Sequence, residues 1–163
     1  MATEAEMRLR RVCFTGHRPE KLNVSERKVV RGLEKTIDVS IADGYCTFIT
    51  GMARGVDIWA AEIIIQKRKK NKELKLICAL PYEGFEQSWG ADWQKRYRNI
   101  LERADLVKVI SPGYSKACFQ KRNEWMVDHS SRVIAVWNGE PSGTKNTIDY
   151  ACAKSVDVLN ILD

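Results

Sequence analysis

Short β-rich runs alternate with longer runs of helical periodicity along this chain, and that alternation narrows the fold more than any other feature. Arg11 to Thr15 reads as a first strand. A helix follows, with Ser25 as its N-cap, Val29, Leu33, Ile37 and Ile41 on one face at four-residue spacing, and Gly44 as its stop. Cys46 to Thr50 reads as a second strand, and Val56 to Lys70 as a helix apolar almost all round in its first half, hence buried. Leu74 to Leu80 is a third strand closed by Pro81. Then come a helix over Asp92 to Arg103, a strand over Asp105 to Ile110 and a helix over Phe119 to His129. A strand over Arg132 to Trp137, a helix over Thr144 to Lys154 and a last strand over Val156 to Ile161 complete the pattern. Strands separated in this way by helices need right-handed crossovers. The expected fold is α/β: a Rossmann-like, doubly wound, mostly parallel sheet flanked by helices.

The 163 residues suit one domain with one core. No repeat, linker or low-complexity segment divides them, and residues 1–10 are expected to be a flexible lead. With 44% apolar and 29% charged residues, the chain reads as neither disordered nor membrane-embedded. No apolar run suits a signal peptide or a bilayer span. The five cysteines, Cys13, Cys46, Cys78, Cys118 and Cys152, are about 30 to 40 residues apart with no C-x-x-C pair. Such a set fits buried thiols in a reducing cytoplasm better than a disulfide framework or a zinc site, so a cytoplasmic location is expected. The net charge of +6 suits an anionic ligand or nucleic acid. Its densest part, Lys67 to Lys72, closes a helix, where cations complement the helix dipole.

Ligands of open parallel sheets bind outside the carboxyl ends of the strands. The turns at those ends are Thr15-Gly16-His17-Arg18-Pro19, Thr50-Gly51-Met52-Ala53-Arg54-Gly55-Val56-Asp57 and Asn138-Gly139-Glu140-Pro141-Ser142-Gly143-Thr144. Three glycine-bearing turns on one edge, two leading closely into helices, suit a phosphate or carboxylate held by backbone N–H groups. Arg18 and Arg54 add forked donors. The spacing is neither the dinucleotide fingerprint nor a P-loop. His17 reads as a ligand contact; His129 ends a helix, where an imidazole can cap carbonyls. No His, Asp, Glu or Cys cluster has metal-ligand spacing, and no cofactor is expected.

These turns, with Arg122-Asn123-x-Trp125-Met126-Val127-Asp128, resemble the DUF1273 branch of the SLOG superfamily, named for the Smf/DprA and Lonely Guy (LOG) proteins. The likeness runs from about Arg11 to Val158. Gly51 to Asp57 is similar to the S-G-x-A-R-G-I-D turn of DprA. Arg122, Met126 and Gly143-Thr144 are similar to the LOG pattern of Arg-Lys, Met and P-G-G-x-G-T-x-x-E. That resemblance implies a nucleotide or nucleotide-derived ligand, a signalling nucleotide being one form of it. LOG proteins hydrolyse cytokinin nucleotides with an arginine and the glutamate of that motif. Here the glutamate position is Thr147, whose hydroxyl cannot serve as a carboxylate. Glu124 offers a carboxylate only from another helix.

The sequence therefore reads as a binding protein, a sensor, carrier or sequestering module, with no catalytic residue assigned. Its candidate ligand-binding residues are Gly16, His17, Arg18, Gly51, Arg54, Gly55, Asp57, Arg122, Asn123, Gly139, Gly143 and Thr144. Asp57 is expected to order its turn or take a ribose hydroxyl. LOG-type glycosidase activity and DprA-like binding of single-stranded DNA are the alternatives; nucleic acid is the weaker partner. Phe85, Trp89, Trp93 and Tyr97, spaced by four, read as core, as a subunit contact in a homo-oligomer, or as a lid.

Overall fold

The computed structural model describes residues Met1–Asp163. Six parallel strands form one sheet in the order β4-β3-β2-β1-β5-β6. They are β1 (Arg11–Gly16), β2 (Thr47–Thr50), β3 (Lys75–Leu80), β4 (Leu106–Val109), β5 (Arg132–Val136) and β6 (Asp157–Asn160). The helices are α1 (Glu4–Arg8), α2 (Glu26–Ala42), α3 (Val56–Arg68), α4 (Ala91–Arg103), α5 (Cys118–Asp128) and α6 (Gly143–Ala153). The doubly wound α/β architecture is the one the alternating pattern anticipates. Within the expected flexible lead, α1 forms a short helix capped by Thr3 and tied to β1 through the Glu4–Arg11 ion pair at 2.6 Å.

The four inner strands, β1, β2, β3 and β5, alternate between two cores, while β4 at the edge is exposed. Val12, Phe14, Phe48, Leu76, Cys78, Ile134 and Val136 face a core shared with α2, α3 and α4. Cys13, Ile49, Ala79 and Val133 face the opposite core, covered by Met126 and Val127 of α5 and Ala151 of α6. This period of two with both faces buried is what a parallel sheet between two helix layers requires. α2 begins where its cap chemistry puts it: the Ser25 hydroxyl accepts the Lys28 N–H at 3.2 Å. Its buried positions Val29, Leu33 and Ile37 are the expected stripe. α3, apolar around most of its girth, is the middle helix of its layer, with Val56 to Ala61 all buried.

The strand order sets the site. From β1 the chain builds outward through β2 and β3 to β4, then returns past them to pair β5 against β1. α2 after β1 and α6 after β5 therefore cover opposite faces, and a crevice opens between the carboxyl ends of β1 and β5. At the other edge of the sheet, Lys67 pairs with Asp38 at 2.7 Å and Arg68 with Asp105 at 2.6 Å, so the basic run is partly neutralised there. Cys13 and Cys78 are fully buried, and burial pushes both thiols up to about 12.

Candidate functional site at the β1–β5 crevice

The crevice is a cavity of about 820 Å³, within the range of about 300–1,000 Å³ usual for small-molecule sites. Of the expected residues, Gly16, His17, Arg18, Asp57, Arg122, Asn123, Gly143 and Thr144 line it. Lys21, Asn23, Phe119, Asn138, Glu140 and Ser142 join them without having been singled out by the sequence. These are polar or single aromatic residues on turns and helix starts, where no periodicity marks them.

Arg122 and Asp57 both line the site and act on each other through their charges. α5 carries Arg122 into the protein at 5% exposure, and α3 carries Asp57 in at 6%. Arg122 Nη1 donates to the Gly51 carbonyl, and its Nε donates to Asn123 Oδ1 at 2.8 Å. Asp57 Oδ2 accepts the Ala53 N–H at 3.2 Å, which ties the β2–α3 turn to the first turn of α3. The other carboxylate oxygen, Oδ1, is buried and has no partner. Burial raises the Asp57 carboxyl to about 6, against the opposing pull of the Arg122 charge and the Ala53 N–H. A buried oxygen without a donor is costly, and a ligand hydroxyl placed there would relieve it.

The third wall is the start of α6. The Ser142 hydroxyl caps α6 by accepting the Lys145 N–H at 3.1 Å, and the Gly143 and Thr144 N–H groups ahead of it are left without a partner. No side chain occupies the space over Gly143. Together with Arg18 at the mouth, this is an arrangement suited to an anion.

Four expected residues lie elsewhere. Gly51, Arg54, Gly55 and Gly139 do not line this cavity. A methyl on Gly51 would stand 2.9 Å from Arg122 Cζ, so the glycine makes room for the guanidinium rather than for a ligand. Gly16, although in the wall, has the same kind of duty, since a methyl there would meet Val56 Cγ2 at 2.5 Å. Gly55 holds φ +91° against the ring of Pro19. Gly139 borders a separate depression beside Trp137 and Asn160. Arg54 stands just outside, its Nη2 3.2 Å from Oε1 of Glu20, which does line the cavity.

His17 is buried, and its Nε2 accepts the Asn138 N–H at 3.2 Å. The Asn138 amide in turn donates to the Lys21 carbonyl at 3.1 Å. The imidazole thus clamps the β1 turn to the β5 turn, and burial holds its pKa below the usual range. Thr147 is fully buried and donates to the Gly143 carbonyl at 2.9 Å, so its hydroxyl is spent within α6. Glu124 accepts from Gln120 at 3.0 Å and does not line the cavity.

The aromatic stripe divides. Phe85 and Tyr97 are buried, and Trp93 packs on Trp59 with ring centroids 6.3 Å apart. Phe85 and Trp89, with Tyr82, Tyr114 and Phe119, line a cleft of about 400 Å³ next to the main cavity.

Residues 12–158 match the model of the YspA SLOG family. The chain belongs to that family. The SLOG resemblance carried by the turn motifs is thereby established over nearly the whole sequence. A relative within reach is the SPbeta prophage-derived protein YoqJ of Bacillus subtilis strain 168, 40% identical over 116 residues, covering 64% of this chain and 68% of YoqJ. Among solved structures, the SLOG chain overlies DNA processing protein A of Helicobacter pylori with a TM-score of 0.64 at 19% identity. That match covers 95% of this chain and 66% of the other, a protein that binds single-stranded DNA. A molybdenum cofactor binding protein of Rippkaea orientalis overlies it with a TM-score of 0.57 at 21% identity, covering 93% of this chain and 76% of the other. At these identities the likeness is one of fold. No helix is long and apolar enough to cross a membrane.

Proposed function

We propose that this SLOG protein binds a nucleotide or nucleotide-derived small molecule in the β1–β5 cavity, as a sensor, carrier or sequestering protein. One observation carries the reading: the start of α6 with its free Gly143 and Thr144 N–H groups, Arg18, and Asp57 with one carboxylate oxygen lacking a donor all border one cavity of about 820 Å³. The phosphate sits at the Gly143 and Thr144 N–H groups with Arg18 across the mouth. A ribose hydroxyl donates to Asp57 Oδ1. Arg122 and Asn123 flank the sugar. A fold neighbour that binds a molybdenum cofactor supports a small-molecule occupant.

Ribose 5-phosphate and 2-deoxyribose 5-phosphate test this reading by isothermal titration. The ribose compound should bind, and loss of a hydroxyl paired with Asp57 should weaken binding by about tenfold or more, as for a charged hydrogen bond. Absence of ribose 5-phosphate binding would remove the assignment.

A further inference from the structure

The cleft beside the main cavity has a composition of its own. Tyr82, Phe85, Trp89, Tyr114 and Phe119 line it, with Arg18, Ala53 and Arg54 along the rim. Its rings are braced edge to face: Tyr82 packs against Tyr114 and Phe119 with centroids 5.9 and 6.2 Å apart, and Phe85 against Trp89 at 5.3 Å. The buried members, Phe85 and Tyr97, complete a rigid base under the cleft. Above it, Tyr114 is 71% exposed and Phe119 40% exposed, although both are large apolar rings.

The cleft is not isolated. Arg18, Ala53 and Phe119 border both it and the β1–β5 cavity. Phe119 lies on α5 one turn before Arg122, whose guanidinium carbon is 5.8 Å from the Phe119 ring centroid. One molecule can therefore reach from the polar cavity to the aromatic cleft across Ala53, a small side chain. Exposed rings held by a fixed aromatic base, bordering the cavity that the start of α6 lines, form a stacking platform for a flat heterocycle.

We infer that the Tyr82–Trp89–Tyr114–Phe119 cleft is a base subsite, which stacks the heterocycle of a nucleotide whose sugar and phosphate occupy the β1–β5 cavity. This deepens the nucleotide reading and rests on it. The subsite distinguishes a nucleotide from a sugar phosphate or a bare anion. Its shape sets a preference for a planar ring, and Ser88, Arg18, Arg54, the two tyrosine hydroxyls and the Trp89 indole N–H are the polar groups that could choose between bases.

Adenosine monophosphate, ribose 5-phosphate and adenosine separate the two halves. Titrations use the wild-type protein and Tyr114→Ala, a change at an exposed side chain that leaves the core intact. Adenosine monophosphate should bind about tenfold or more tightly than ribose 5-phosphate, and Tyr114→Ala should weaken it by about five- to hundredfold, the usual worth of one base–aromatic stack. Ribose 5-phosphate should bind both forms equally. In ¹⁵N NMR spectra the Trp89 indole N–H, assigned by Trp89→Phe, should shift with adenosine monophosphate and stay still with ribose 5-phosphate. Adenosine monophosphate binding that ignores Tyr114→Ala, or that leaves Trp89 unmoved, would overturn the base subsite. Should ribose 5-phosphate fail to bind, the cavity reading falls and adenosine alone judges the cleft. A Trp89 shift abolished by Tyr114→Ala then supports the subsite, and no shift overturns it.

Discussion

The guanidinium of Arg122 rests on Gly51: Nη1 donates to the glycine carbonyl, and a methyl at position 51 would stand 2.9 Å from both Cζ and Nη1. The missing side chain on β2's turn thus fixes where α5 delivers its arginine. In Gly51→Ala the flexible end of Arg122 must give way rather than the backbone. Stability should fall by about 1 kcal/mol, the low end for overpacking. Adenosine monophosphate affinity should fall by about tenfold, or 1.4 kcal/mol. Urea unfolding and isothermal titration read the two effects, and unchanged affinity would show that Arg122 has no part in binding.

Asp57 makes a pH prediction. Its carboxyl stands at about 6 in the folded chain instead of its ordinary 3.8 because burial penalises the charge. The folded state therefore holds this proton more tightly than the unfolded chain. That contribution to stability is full below about pH 4 and is lost as pH rises from about 4 to about 6, a change of about 3 kcal/mol. Asp57→Asn cannot ionise, so it should gain on the wild type by about that amount over the same window and no further above it. Chemical denaturation at a series of pH values checks this. A constant difference between the two proteins would mean that Asp57 titrates normally.

Arg18 and Arg54 sit on neighbouring turns yet should behave differently. Both pair with Glu20, Arg54 at 3.2 Å and Arg18 at 3.9 Å, but Arg18 borders the main cavity whereas Arg54 borders only the aromatic cleft. Arg18→Ala should weaken ribose 5-phosphate by about 1.5–3 kcal/mol, the range for a charged hydrogen bond. Arg54→Ala should leave ribose 5-phosphate binding nearly unchanged. The reverse order in calorimetry would place the phosphate in the cleft.

The fold was legible because its signals are local. Ser25 caps α2, Gly44 ends its last turn, and each strand alternates or runs apolar within a residue of its observed limits. The site was legible by turn and less so by residue. A glycine in a strand-end turn announces that a side chain is unwelcome, but not what fills the space. For Gly16 the neighbour is Val56, and for Gly51 it is Arg122, both distant in sequence. Arg54 occupies the expected turn, but Glu20, on another turn, takes its guanidinium. Likewise His17 spends Nε2 on the Asn138 backbone, a partner no spacing rule reveals. Phe119 was seen only as the start of a helix, and its place between cavity and cleft depends on how β4 hands the chain back across the sheet.

Thr147 bears on catalysis. With its hydroxyl committed to Gly143 and Glu124 outside the cavity, neither side chain is placed to activate water there. Adenosine monophosphate incubated with the protein should release little free adenine by chromatography. Turnover at an ordinary rate of about 1 per second or more would make this an enzyme, and Asp57, the carboxylate inside the cavity, would be the first residue to replace.

Competition between adenosine monophosphate and single-stranded DNA tests the central claim most directly. A pocket that holds one phosphate should bind adenosine monophosphate with a shallow salt dependence, since few counterions are released. Oligonucleotides should bind weakly, lose affinity steeply with salt and fail to displace the nucleotide. The basic residues Lys67 and Arg68, already paired with Asp38 and Asp105, lie at the opposite edge of the sheet and do not extend the cavity into a groove. Mutual displacement, with DNA affinity rising over roughly 4–16 nucleotides, would contradict a mononucleotide pocket and make the strand itself the ligand.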